Sequence, residues 1–441
     1  MRYMTITTEM KTALDLIENT KQPVYITGKA GTGKTTLLRY IVSSIKKRFV
    51  ITASTGIAAV NAGGVTLHSL LHIPFGCLNE STNMGGLPPN KVKLINNIDA
   101  IIIDEISMVR PDVLDFIDRK LRAYRVSDKP FGGLQLIMFG DLYQLPPVVK
   151  AEEQTILNQF YKGPYFFYAK VFKEIGFTMV ELTHIFRQND PKFIEILNHI
   201  RSYRLSPDDM DELAERRDKT NSGRYDTTAI HICTHKAEAQ KINNSLLGED
   251  VHTFKAVLKD KFNPNAAPCD MELNISVGAR VMMLVNDHNI GYCNGSLGYV
   301  TDITQKEDGT PIVTVSLDNG IQTSVEPYKW EANEYKVEDK KIVKTTVGSC
   351  TQLPLSLAWA ITIHKSQGLT FDKIIVHTKR TFCPGQIYVA LSRCTSLEGI
   401  TLDSFITTKH IFADDELVAF EKAMAESGNV FNKETYKALN A

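Results

Sequence analysis

A chain of 441 residues is longer than one hydrophobic core ordinarily serves, so it divides most naturally into two or three domains. Its 43% hydrophobic and 23% charged residues are those of a globular protein, and 50 Lys and Arg balanced by 50 Asp and Glu exclude a global positive field, so a polyanion must be met by locally placed charge. Seven cysteines without a CxxC pair exclude a disulfide framework and read as reduced thiols, and no apolar run approaches the roughly 18 residues of a membrane span.

The first ten residues, MRYMTITTEM, lack the apolar core of a signal peptide, which makes the cytoplasm the expected compartment, on the nucleoid if the source is bacterial. PVYITGKAGTGKTTLLRYIV then runs from a β-rich stretch through Gly28, Ala30, Gly31, Thr32 and Gly33 to Lys34, Thr35 and Thr36, and on into a helical pattern. GxxxxGK[ST] between strand and helix is a phosphate-binding loop. Its glycines let backbone N–H groups curl around phosphates, Lys34 adds a point charge, and the Thr35 hydroxyl can ligate Mg²⁺.

IDAIIIDEISM is an unbroken apolar run ending in Asp104 and Glu105, as expected of a parallel strand buried on both faces. At its carboxyl end Asp104 can hold the metal and Glu105 can polarise an attacking water; two acids that merely cap the next helix are the alternative. LQLIMFGDLYQLPPV ends a third buried strand near Gln144, which can sense a γ-phosphate or simply be solvated beside Pro146 and Pro147. Residues 1–166 thus read as one α/β lobe, with a nucleotide at the strand ends.

Phosphoryl transfer needs further positive charge, worth about 10³- to 10⁵-fold in rate. Arg187 in VELTHIFRQ and Arg393 in GQIYVALSRCTSLEGI are candidates, with an ordinary surface ion pair as the alternative for each. Strand and helix signals resume at TTAIHICTHKAEAQKIN, LPLSLAWAITIHKSQG and FDKIIVHT, placing a second α/β lobe at residues 167–248 and 352–441. Residues 249–351 show short β-branched runs between Gly, Asn and Asp turns and predict a small inserted β-barrel. His231, Cys233 and His235 of HICTH alternate as on a strand face, but without a fourth ligand they read as sheet residues. From residue 411 the chain predicts an amphipathic, mostly helical end without a further domain.

Together with ASTGIAAV (53–60), TLHSLL (66–71), DEISM (104–108), GDLYQLPPV (140–148), LTHIFRQ (182–188), TIHKSQGLT (362–370) and YVALSR (388–393), the phosphate loop resembles the motif set of a superfamily one helicase of the PIF type, in the branch that also holds RecD-like enzymes. Eight motifs in order span nearly the whole chain. The resemblance implies an α/β fold of two RecA-like P-loop lobes with the barrel inserted in the second, ATP and Mg²⁺ as cofactors, and a monomeric core acting in genome maintenance. It also implies single-stranded and forked or tailed duplex DNA as partners, no membrane, and movement 5′ to 3′.

By the same resemblance Lys34, Thr35, Asp104 and Glu105 keep their roles. Gln144 matches a γ-phosphate sensor, Phe186 an adenine-stacking aromatic, and Arg187 and Arg393 arginine fingers. Thr55, Gly56, Thr66, His68 and Pro146 match DNA-holding positions of the first lobe, and Thr362, His364 and Lys365 those of the second. Gln367 and Gly368 match positions close to the nucleotide. Met10 stands where the family carries an adenine-reading glutamine, and methionine packs on a base without paired hydrogen bonds. Residues 72–97, a polar stretch ending in Lys91 and Lys93, occupy the place of a duplex-separating wedge or form a plain surface loop. Arg110, Arg119, Arg122 and Arg125 face DNA or, by default, pair with Asp112, Asp115 and Asp118. A single-strand translocase that strips proteins, or a P-loop switch acting on a protein partner, are the rival readings.

Overall fold

The computed structural model describes residues 5–74, 76–217, 227–264, 267–287, 290–292, 294–338, 341–378, 383–411 and 414–440. Two compact units emerge: Met1–Phe186 with Asn333–Thr345 and Ala413–Ala441, and Arg187–Ala332 with Thr346–Phe412. Among the described residues no helix is long and apolar enough to cross a membrane.

In the first unit the apolar runs become parallel strands β1 (Val24–Gly28), β2 (Phe49–Ala53), β3 (Val65–Thr66), β4 (Ala100–Asp104), β5 (Gln135–Phe139) and β6 (Phe177–Leu182). They lie side by side in the order β6-β1-β5-β4-β2-β3, with Val430–Phe431 added antiparallel beside β6. Helices α1 (Thr8–Asn19) and α2 (Lys34–Ser44) cover one face. Ala13, Ile17, Leu37, Leu38 and Ile41 of these helices share a core with Ile26, Ile102 and Ile137 of the strands. Burying each of these Ile and Leu side chains contributes about 1.5–3 kcal/mol, so the sheet is a rigid platform for whatever its strand ends carry.

This unit is larger than the sequence predicts. Residues 167–186 and the C-terminal stretch were expected in the second lobe. Instead β6 pairs along the whole of β1, and the C-terminal stretch packs on the same unit through stacked pairs Phe167–Phe420 (4.4 Å) and Phe177–Phe431 (4.5 Å). Aromatic stacking between rings some 250 positions apart leaves no local pattern, which is why the boundary was displaced.

The second unit holds a four-stranded parallel sheet in the order Ala360–Thr362, β7 (Ile230–Cys233), Ile374–Val376, Ile400–Leu402. Residues 249–351 are β-rich, as expected. Their described pairings build a five-stranded, a two-stranded and a three-stranded sheet in open order, and none of them closes a barrel. The five-stranded sheet reaches beyond the expected insertion to Leu355–Leu357, because Val281, Val300, Val313, Val315 and Leu355 form one core with Cys233, Trp359 and Ala360 of the parallel sheet's surroundings.

Candidate functional site

The loop after β1 needs glycine at two places. Gly31 (φ 82°) and Gly33 (φ 84°) lie in the left-handed region that side chains disfavour. Gly33 caps α2 without a side-chain hydrogen bond, leaving the positive end of the helix for an anion. Ala30 and Thr32 are buried in the loop wall, and Thr35 and Thr36 are exposed at the helix start. Lys34 Nζ donates to the carbonyls of Gly28 (2.6 Å) and Lys29 (3.1 Å), an arrangement that closes the loop and holds the ammonium where a phosphate oxygen, a stronger acceptor, would take it over.

A Cβ on Gly33 would sit 3.5 Å from Met10 Cε and 3.7 Å from the Phe186 ring, so α1, the loop and the segment after β6 converge. The Phe186 N–H donates to Gly31 O at 2.9 Å, and its ring meets His184 edge-on at 4.4 Å while remaining 44% exposed. An exposed aromatic face beside a phosphate loop could stack on a base. Met10 is buried against the same place, where its thioether supplies packing and no hydrogen-bond pair.

Asp104 ends β4. Burial pushes its carboxyl up to about 6, opposed by the Glu105 N–H and by the charges of Lys34 and Arg39. An anion beside a phosphate loop, with the Thr35 hydroxyl at the helix start, is a donor set that a hard divalent cation would fit. Among the described residues no group of three or more His, Cys, Asp and Glu could hold a metal. His231 instead meets His377 Nε2 through Nδ1 at 2.9 Å. Glu105 follows with φ 52° and ψ 48°, a left-handed conformation that costs a non-glycine residue about 1–3 kcal/mol and turns the chain sharply off the strand. Gln144 is preset by Asp141, whose carboxylate accepts its Nε2 at 3.3 Å and the Tyr143 N–H at 3.2 Å.

The chain passes from the first unit to the second between Phe186 and Arg187. Within the second unit Arg187 donates to Ser392 O (3.2 Å) and Gly368 O (3.5 Å), and burial lowers its pKa. Arg393 is 2% exposed and donates to Val389 O (2.9 Å), Ser366 O (3.5 Å) and Ser392 Oγ (2.8 Å). Gln188 escaped the sequence reading. Its Nε2 donates to Ser392 O (3.0 Å) and Cys394 O (3.1 Å), clipping the Arg187 segment to the Arg393 segment. Only its place in LTHIFRQ beside Arg187 pointed to it. Gln367 Nε2 is buried with no acceptor among the described residues, a costly state that a ligand atom would relieve.

Thr55, Thr66 and Thr362 share a local design. Each hydroxyl accepts a hydrogen bond from the N–H three residues on, from Ala58 (3.2 Å), Ser69 (3.1 Å) and Lys365 (3.2 Å), at the start of α3 (Gly56–Ala62), α4 (Leu67–Leu71) and Ile363–Ser366. Such caps bring short helix N-termini to strand ends, where N–H groups could meet phosphates. His68 sits one residue into α4, and burial, then the Arg110 charge, push its pKa down; His364 and Lys365 are exposed, and Pro146 is half-buried.

The described residues of 72–97 include several held by hydrogen bonds to the side chains of Lys91, Arg119 and Lys120. Lys91, on α5 (Pro89–Asn97), is buried, donating to Ser69 O and meeting His72 Nε2 at 2.9 Å. On α6 (Pro111–Arg125), Lys120 reaches the carbonyls of His72 and Met84, and Arg119 those of Asn79 and Glu80 (both 2.7 Å). The default pairing holds for Arg110 with Asp112 and for Arg122 with Asp118. Arg119 and Arg125 go to backbone carbonyls, and Asp115 accepts from Tyr161 and from the N–H groups of Lys170 and Val171.

The family profile described as PIF1-like helicase matches residues 5–209. A crystal structure of Pif1 from a Bacteroides species in complex with ADP-AlF4 is 52% identical, with a TM-score of 0.91 over 98% of this chain and 100% of that one. The Bacteroides Pif1 bound to single-stranded DNA is also 52% identical, with a TM-score of 0.73 over the same shares. The ATP-dependent DNA helicase PIF1 of Mus musculus is 36% identical over 404 residues, covering 88% of this chain and 58% of its own length. The chain therefore spans about three-fifths of that curated relative.

Proposed function

The chain belongs to the PIF1-like helicase family, and from that premise we propose that it is an ATP-dependent DNA helicase that moves along single-stranded DNA and separates forked or tailed duplexes. One observation carries this reading: an uncapped helix end with Lys34, the exposed Phe186 ring and the Asp104–Glu105 pair meet at the carboxyl ends of one parallel sheet. ATP enters with its base on Phe186 and Met10 and its phosphates at the N-terminus of α2. Lys34 moves from the loop carbonyls to the phosphates. Thr35 and Asp104 would hold Mg²⁺, which would supply neutralisation of phosphate charge there. Glu105 takes the proton of the attacking water, Gln144 senses the terminal phosphate, and the guanidinium groups of Arg187 and Arg393 are the charges that transfer requires.

DNA is gripped at Thr55, Gly56, Thr66, His68 and Pro146 of the first unit and at Thr362, His364 and Lys365 of the second. Gln367 and Gly368 adjoin both Lys365 and the carbonyl that Arg187 holds, so the grip and the arginine share one short segment. The active form is a monomer moving 5′ to 3′. Unwinding of a 5′-tailed duplex, with none of a 3′-tailed or blunt one, is the result this reading requires. ATP-driven displacement of bound protein without unwinding would leave a strand-clearing translocase instead.

Phe186→Ala tests the base platform. Removal of the ring should raise the KM for ATP about tenfold and leave kcat within about twofold, because stacking is shared by ground and transition states. Steady-state hydrolysis at saturating single strand measures it, and an equal fall in kcat would reassign the ring to the chemistry.

A further inference from the structure

We propose that Asp270 is an internal phosphate mimic that occupies the grip lysine Lys365 and weakens the second unit's hold on single-stranded DNA, an inference that rests on the helicase reading. Asp270 Oδ1 lies 3.6 Å from Lys365 Nζ, and the two side chains are 42% and 43% exposed. The aspartate is pinned from its other side. Ser356 Oγ donates to Asp270 Oδ2 at 3.2 Å, and Gln352 Nε2 donates to the Asp270 carbonyl at 3.3 Å. Ser356 lies on Leu355–Leu357, the strand that leads directly into Ala360–Thr362 and the Thr362-capped turn carrying His364 and Lys365. The carboxylate is thus fixed relative to the grip, while the lysine is long, flexible and able to leave.

A half-exposed pair of this length holds its partners by no more than about fivefold in equilibrium terms, too little for a structural role but enough to compete with one phosphate. A motor releases each grip once per cycle. An anion fixed beside the lysine lowers the hold in the same step that orients the ammonium, and it receives the ammonium again when the backbone departs. Asp270 is therefore a positioning residue acting through Lys365.

The test is equilibrium binding of a fluorescent single-stranded thymidine oligomer to the full chain across a salt series, with wild type, Asp270→Asn, Lys365→Ala and the double variant. Asp270→Asn should tighten binding about two- to fivefold at low salt and steepen the log K against log salt slope by up to about 0.7, the share of one phosphate contact. In the Lys365→Ala background the same substitution should change neither quantity. Asp270→Ser should reproduce Asp270→Asn, which keeps the test in force if the amide variant fails to fold. Binding by Asp270→Asn equal to or weaker than wild type overturns the inference, as does tightening that survives intact without Lys365. Failure of all four chains to bind the oligomer would instead overturn the helicase reading and the inference with it.

Discussion

Arg187→Ala is expected to lower single-strand-stimulated ATP turnover by about 10³-fold or more while the chain still folds and binds single-stranded DNA. Its guanidinium is held by long bonds to two neutral carbonyls, Ser392 O at 3.2 Å and Gly368 O at 3.5 Å. Such bonds cost little to leave, and burial, which lowers its pKa, already makes the charge eager for an anion. Gln188 stays clipped to Ser392 and Cys394 in the variant, so the segment keeps its place. Arg187→Lys should recover little, because an ammonium lacks the planar fork. Turnover measured at saturating ATP and DNA, beside the affinity for a non-hydrolysable ATP analogue, decides the matter. A loss under tenfold would remove Arg187 from the reaction. Arg393→Ala is the less informative variant, since it vacates a buried site with three bonded oxygens and also perturbs the fold.

Glu105→Gln is expected to reduce turnover by about 10²- to 10⁴-fold, the share of a positioned general base, with ATP affinity unchanged. Glutamine keeps the shape, and it meets the same left-handed backbone at φ 52° as the glutamate, so folding is spared a new strain. Single-turnover hydrolysis separates this loss of chemistry from slow product release. Full activity in the glutamine variant would assign the base elsewhere and leave Glu105 as the turn that ends β4.

The parts of the site legible in the sequence were those whose chemistry demands fixed spacing. A loop from Gly28 to Thr35 and a strand running apolar into Asp104 and Glu105 can be placed because backbone geometry dictates the interval. Residues acting through tertiary contact were silent. A lone glutamine such as Gln188 has no spacing, yet it ties two arginine-bearing segments 204 positions apart. Lysine in a polar stretch is solvated by default, so no pattern marks Lys91 as buried; the carbonyl of Ser69 and the ring of His72 explain its place. The C-terminal rings Phe420 and Phe431 were visible as an amphipathic pattern, but not their partners Phe167 and Phe177, and so their unit was misplaced. Asp270 lay within a stretch read only for its β-branched runs and turns, and its meaning comes from the 3.6 Å to Lys365.

Hydrolysis at the first unit's phosphate loop should be coupled to the binding of single-stranded DNA, and steady-state ATP hydrolysis with no DNA, with a short single strand and with blunt duplex is the deciding experiment. Slow basal turnover, strong stimulation by the single strand and little by the blunt duplex are expected. Turnover that is the same under all three conditions, in a folded chain that binds ATP, would contradict the coupling and leave a P-loop ATPase whose partner is not DNA.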